Sequence, residues 1–263
     1  MLDQTPIRKK ISAGLPIIGT WNTLASPLLT EVMAKAGYDF QIIDLEHGPF
    51  VLGSVHEFVS ACEGTSQCSP LVRIPANEEW MVLQAMDQGA HGVIVPHVQD
   101  QASAGKLARA IKYHPDGKRG FTPFSKGGAF NNRSTATYIS TANREGVGVA
   151  IIESRAGLER VEEIVAQDGI DVVYFGAYDL SQDLGFPGDV RNPAVVSAIR
   201  KGLEIVSLKG KYAGGFVPQS PDDVKWLLDM GMRFITYDVD CSMVFRSVSA
   251  VTEWFAGETG QTG

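Results

Sequence analysis

Cysteine is scarce in this chain, and the three present (Cys62, Cys68 and Cys241) form no CxxC pair. Their odd number argues against a disulfide framework, so a reducing cytoplasm is the expected location. Long apolar runs are missing too. No segment approaches the ~18 consecutive apolar residues of a membrane helix, and the opening MLDQTPIRKKISAG lacks the apolar stretch of a signal peptide. Excess positive charge is absent: 23 Lys and Arg against 30 Asp and Glu give a net charge of −7. That balance disfavours nucleic acid or an anionic membrane as partner. Catalytic signatures are missing as well. No glycine-rich phosphate fingerprint follows the first predicted strand, which weakens a doubly wound nucleotide-binding sheet. Neither a GxSxG elbow nor a Cys/His pairing is present. No predicted strand ends in lysine where chemistry is expected, since Lys209 and Lys211 flank the amino end of the seventh strand and Lys126 lies in a long loop. An imine mechanism therefore has no evident nucleophile.

What the chain does have is a repeated strand–helix grammar. At 44% hydrophobic and 20% charged residues it is ordinary for a globular protein. Its length is close to the ~250 residues of a (β/α)₈ barrel. Apolar runs predict eight strands, at 16–21, 40–44, 70–73, 92–95, 147–152, 171–175, 212–216 and 233–238. Four predicted helices stop at a glycine followed at once by a strand: Gly37, Gly89, Gly169 and Gly231. Ser26-Pro27, Asn192-Pro193 and Ser220-Pro221 place a capping side chain before proline at a helix start. Ser54 with Glu57 fits a capping box. Strands alternating with helices imply right-handed βαβ units and a parallel sheet, so the expected fold is a single (β/α)₈ TIM barrel spanning residues 1–263. A long irregular segment is expected at 114–140, the length of a functional or mobile loop. Apolar residues at 243, 244, 248, 251, 254 and 255 predict an additional C-terminal helix. The closing GETGQTG reads as a disordered tail.

Charged residues end several of the apolar runs: Asp44, Glu46 and His47 after IID, Glu153 after VAII, and Asp179 shortly after VVYF. Burying an unpaired carboxylate is costly, and in a parallel barrel the carboxyl ends of the strands share one face. Glu153 and Asp179 suit a hard cation such as Mg²⁺ or Mn²⁺; they read equally well as surface or helix-capping acids. His47 stands beside carboxylates able to orient it for acid–base work, although a histidine is more often structural. His56, His91, His97 and His114 read as structural, with a rim position left open for His97 after GVIVP. Arg73 ends PLVRIP and offers a fork to a carboxylate or a developing oxyanion; an ion pair with a neighbouring acid is the other reading. Asp87, near a helix end, reads by itself as a solvated helix residue.

Taken together, the segments GTWNTLASPLLTEVMAKAGYDFQIIDLEHGPF, PLVRIP, MDQGAHGVIVPHVQ, KYHPDGKRG and IIESRAGLERVEEIVAQDGIDVVYFGAYDLSQDLG resemble the HpcH/HpaI aldolase family from about residue 15 to 255. The resemblance implies a metal-dependent, class II pyruvate aldolase that splits a 4-hydroxy-2-oxo acid into pyruvate and an aldehyde. By motif position, Glu153 and Asp179 would hold a divalent cation (Mg²⁺, Mn²⁺ or Co²⁺). Arg73 would bind the keto oxygen, and His47, supported by Asp44 and Asp87, would move protons, with a water on the cation as the alternative base. The backbone of Gly176, Ala177 and Tyr178, beside Asp179, would receive the substrate carboxylate. A homo-hexamer, a dimer of trimers exchanging the C-terminal helix, is implied as well. Two departures from the pattern point to specificity: Ile151 replaces a familiar glutamine, and Arg119-Gly120-Phe121-Thr122 begins an unusual loop in which Lys126 and Arg133 offer charge. Oxaloacetate decarboxylation, citrate-synthase-like condensation and non-catalytic binding of a 2-oxo acid are the rival expectations.

Overall fold

A computed structural model describes residues 4–65, 67–132 and 134–260. Its strands Ile17–Asn22 (β1), Phe40–Asp44 (β2), Ser69–Arg73 (β3), Gly92–Val95 (β4), Val147–Ile152 (β5), Val172–Phe175 (β6), Tyr212–Gly215 (β7) and Phe234–Val239 (β8) close into one parallel barrel in chain order. The expected (β/α)₈ fold, with its additional C-terminal helix, is therefore the observed one. Period-two alternation divides the side chains. Ile42, Leu71, Ile94, Val149, Ile151, Tyr174 and Phe234 point into the barrel, while Ile43, Val72, Val93, Ile152, Val173 and Phe175 pack outward against helices. Phe40 stacks on Phe234 inside the barrel, with ring centroids 4.2 Å apart. A Cβ at Gly19 would stand 2.5 Å from the Phe40 ring, so this tight inner layer requires glycine there.

The punctuation read from the sequence sets the loops. Ser26, Asn192 and Ser220 each accept a hydrogen bond from a first-turn amide, and Gly37, Gly89, Gly169 and Gly231 all adopt positive φ. Three expectations are corrected. Ser54 caps nothing: it ends a short 3₁₀ turn, Leu52–Ser54, and its hydroxyl donates back to the Val51 carbonyl, so no capping box forms. The box lies instead at Asp100 and Ser103. The supposed irregular segment at 114–140 runs into the helix Thr135–Glu145, whose polar sequence hid its period. The first part of the expected tail, Gly257–Thr259, is instead the end of the final helix, Asp240–Thr259, while residues 261–263 lie outside the described residues.

That final helix leaves the barrel with its apolar face uncovered. Val244, Phe245, Val248, Val251, Trp254 and Phe255 are all exposed. Among the described residues no helix is long and apolar enough to cross a membrane.

Candidate active site

Each β-strand delivers its last side chains to the same end of the barrel, and there a cavity of about 300 Å³ opens. Asp44, His47, Arg73, Ile151, Glu153, Gly176, Ala177, Tyr178 and Asp179 all border it. Nine of the residues singled out in the sequence are thus brought together. Among the described residues no lysine lines this cavity.

Asp44 and Arg73 are register partners across β2 and β3, which fixes their pairing. The Arg73 Nε donates to Asp44 Oδ1 at 2.8 Å, its Nη2 pairs with Asp44 Oδ2, and its Nη1 meets Glu46 Oε2 at 3.0 Å. The guanidinium carbon lies 4.4 Å from the centre of the Trp21 ring. Arg73 is thus in the ion pair that was one of its two readings, and it stands on the cavity wall. Asp44 has a further duty. Its Oδ1 accepts the backbone N–H of Glu46 at 3.0 Å and of His47 at 3.2 Å, a local turn of the kind aspartate favours. It therefore orients the His47 backbone, while the exposed imidazole borders the cavity.

Glu153 follows β5, and Asp179 sits in the first turn of the helix Ala177–Asp183 after β6. Burial raises the Glu153 carboxyl above its usual range, and the charges of Asp179 and Glu46 add to that, against the pull of His97. Its Oε1 accepts from the His97 amide at 2.7 Å and lies 2.5 Å from His97 Nδ1. For Oε2, no hydrogen bond is found among the described residues. That atom faces Gly176, where a Cβ would come within 3.2 Å of it. A buried carboxylate with one oxygen held and the other open, near a second carboxylate, fits a hard cation. Among the described residues no three metal-ligating side chains converge, so a cation here would complete its shell with water and substrate oxygens, as Mg²⁺ commonly does.

Sequence reasoning missed several members of the cavity. Trp21, Thr23, Phe216, Val217 and Val239, from the ends of β1 and β8 and from the segment after β7, complete the wall. Tyr174 is there too, its hydroxyl donating to the Phe216 carbonyl at 2.7 Å. Burial pushes its phenol up to about 12, so it stays protonated. His97 was left as structural or rim; it touches Glu153.

Asp87 and Arg119 are placed elsewhere. A helix that follows a parallel strand runs back toward the amino ends, so Asp87, last in Glu79–Asp87, lies at the opposite end of the barrel. There Arg119 Nη2 meets Asp87 Oδ1 at 2.6 Å, the guanidinium covers the Tyr113 ring at 4.5 Å, and Arg119 Nε has no hydrogen-bond partner among the described residues. A second cavity, of about 210 Å³, is bordered by Arg119, Glu63, His91, Lys126 and Glu145. Lys126 Nζ contacts Glu63 Oε2 at 2.7 Å. Arg133 lies outside the described residues. Within one chain, then, the described residues of the loop after Arg119 do not border the Glu153 cavity, and Ile151 lies against Gly176 at its edge.

The chain as a whole resembles known proteins. The model of the HpcH/HpaI aldolase/citrate lyase family matches residues 18–247. The chain belongs to that family. A hydroxypyruvate/pyruvate aldolase from Roseobacter denitrificans is 31% identical over 251 residues, covering 95% of this chain and 97% of that one. A family structure from Burkholderia cenocepacia superposes with a TM-score of 0.90 at 29% identity, over 96% of this chain and 99% of the other. The citrate synthase SbnG superposes at 0.86 with 27% identity, over 98% and 100%. Membership of this aldolase and lyase family makes the chain an enzyme of the lyase class.

Proposed function

We propose that the protein is a cytoplasmic, divalent-metal-dependent aldolase that reversibly splits a 4-hydroxy-2-oxo acid into pyruvate and an aldehyde. The observation that carries this reading is the convergence of Glu153, Asp179 and the forked Arg73 on one cavity. A cation held by Glu153 Oε2 and Asp179 would supply Lewis-acid stabilisation to the carboxylate and keto oxygens of the acid. Arg73 keeps donors for the keto oxygen while Asp44 and Glu46 fix its plane, so the guanidinium is already oriented as negative charge develops there. The His47 imidazole takes the proton of the 4-hydroxyl. The bond between carbons 3 and 4 then breaks, its electron pair passes to carbon 3 as the enolate, and carbon 4 leaves as the aldehyde carbonyl. Protonation of carbon 3 yields pyruvate. The opening amides of the helix at Ala177–Asp183, left without intrahelical partners, receive the substrate carboxylate at Ala177 and Tyr178, beside Gly176, whose own N–H donates to the Ile152 carbonyl at 3.0 Å.

The same reading assembles the chain as a hexamer, a dimer of trimers exchanging the helix Asp240–Thr259, whose uncovered apolar face supports the exchange. In it Asp87 and Arg119 act on chemistry only across a subunit boundary. A second reading, oxaloacetate decarboxylation or citrate-synthase-like condensation on the same centre, is favoured by the likeness to SbnG.

Pyruvate release from 4-hydroxy-2-oxo acids, followed during metal titration, tests the proposal. Excess chelator should abolish cleavage, and Mg²⁺, Mn²⁺ or Co²⁺ should restore it, because the ligands are oxygens without a soft partner. Full cleavage after exhaustive dialysis against EDTA overturns the metal assignment. Carbon dioxide release from oxaloacetate far outpacing aldol cleavage favours the second reading. Borohydride with pyruvate should leave the enzyme active, since no lysine among the described residues borders the site.

A further inference from the structure

His97 follows β4 and Pro96, in left-handed backbone at φ 56°. A non-glycine side chain rarely adopts that conformation, and holding it there costs free energy that surrounding contacts must offset. Those contacts lead mainly to the end of β5 and to Glu153 just beyond it. The Val98 amide donates to the Ile151 carbonyl at 3.0 Å, and the His97 amide donates to Glu153 Oε1 at 2.7 Å. The imidazole turns the same way, its Nδ1 2.5 Å from that same Oε1. The ring is otherwise solvent-exposed, so burial of the imidazole does not explain where it points. Its Nε2 lies 3.9 Å from Glu46 Oε1, and Glu46 in turn holds Arg73.

We infer that His97 is a positioning residue for Glu153: its backbone and imidazole together occupy Oε1, so that Oε2 alone is presented beside Gly176 and toward Asp179. This rests on the reading of Glu153 and Asp179 as the cation site. The amide's donation to Oε1 does not depend on the imidazole's charge, and Nδ1 adds a close contact on the same oxygen. Fixing one oxygen removes the rotation that would otherwise let Glu153 swing away from Asp179 or chelate through both oxygens. Partners that orient a ligating group in this way typically account for 10–100-fold in metal affinity. The strained turn is thereby explained: it brings an amide and an imidazole of a single residue onto a single oxygen.

Mn²⁺ binding to the full-length protein without substrate, read by electron paramagnetic resonance of the free ion, tests this. His97→Gly keeps the left-handed turn, which glycine adopts without strain, and removes only the imidazole. It should weaken Mn²⁺ binding about tenfold or more. His97→Asn tolerates the same backbone and returns a side-chain donor, so it should lie closer to wild type than to His97→Gly. Saturating Mn²⁺ should bring the turnover of His97→Gly back to within a few-fold of wild type, as expected for a residue that orients the ligand rather than the substrate. Wild-type affinity in His97→Gly, or His97→Asn as weak as His97→Gly, overturns the positioning role while leaving the metal site standing. A wild-type protein that binds no Mn²⁺ overturns the cation site itself, and the inference with it.

Discussion

At the carboxyl ends of the strands, Arg73 is forked between Asp44 and Glu46 yet still borders a cavity. At the amino ends, Arg119 is joined to Asp87 and lies against Tyr113 with its side chain 1% exposed. Both guanidiniums face an aromatic ring and a carboxylate, so residue type alone does not distinguish them. What differs is the unspent capacity around them. Near Arg73, the open Oε2 of Glu153, the Asp179 carboxylate and the His47 imidazole all face one space. Near Arg119, Glu63 is taken up by Lys126, and Glu145 by the Thr5 amide and Arg144. Charges with open valences around a cavity suit chemistry, whereas mutually neutralised charges at the amino end of a barrel suit stability.

The sharpest way to break this contrast is Arg73→Lys. Charge is kept, but a lysine point charge cannot span Asp44, Glu46 and a substrate oxygen with a planar fork. Loss of one preorganised oxyanion donor costs on the order of 10²–10³ in kcat, and a loss of that size is expected in pyruvate-release kinetics. Activity within a few-fold of wild type would reduce Arg73 to an ion pair.

Arg119→Met should do the reverse. It removes the partner of a partly buried Asp87 and should destabilise the protein by about 3 kcal/mol, the low end for breaking a buried pair, because Asp87 retains some access to water. Urea unfolding measures this. Mn²⁺ binding at the opposite end should be unchanged. An activity loss with full stability would instead place Arg119 at a neighbouring subunit's site.

The contrast between the ends also shows what could be read from residues alone. Strand ends were legible because buried strands need unbroken apolar runs and their terminal charges stand out, as at Glu153 and Asp44. Trp21, Phe216 and Val239 were not, because an apolar residue that lines a cavity looks the same in sequence as one that fills a core. Asp87 was assigned to His47 by motif, although its place at the end of a helix returning from β3 already put it at the other end of the same chain. Ser54 failed because capping depends on the backbone conformation of the residue, which here is helical. His97 was passed over because only the left-handed turn, invisible in the letters VPHV, aims it at Glu153.

The smallest expected effect lies at the amino end, in the contact of Lys126 with Glu63. Burial pushes the Glu63 carboxyl up, but the close Lys126 ammonium and the nearby His91 outweigh it and hold the group below its usual range. A depressed carboxylate contributes stability that is present above the ordinary glutamate value of about 4.3 and is lost as pH falls through the lower folded value. Both side chains retain contact with water, at 38% and 26% exposure, so the contribution should match that of a surface pair, less than about 1 kcal/mol. Lys126→Met should therefore lower stability slightly at pH 7, and the difference from wild type should close as the pH is taken below about 4. Urea midpoints measured across that range decide it. A gap that stayed constant into acid would assign the effect to lost packing of the lysine stem on Gly89. A gap above 2 kcal/mol at neutral pH would mean that the amino-end charges are far less screened than their exposure implies.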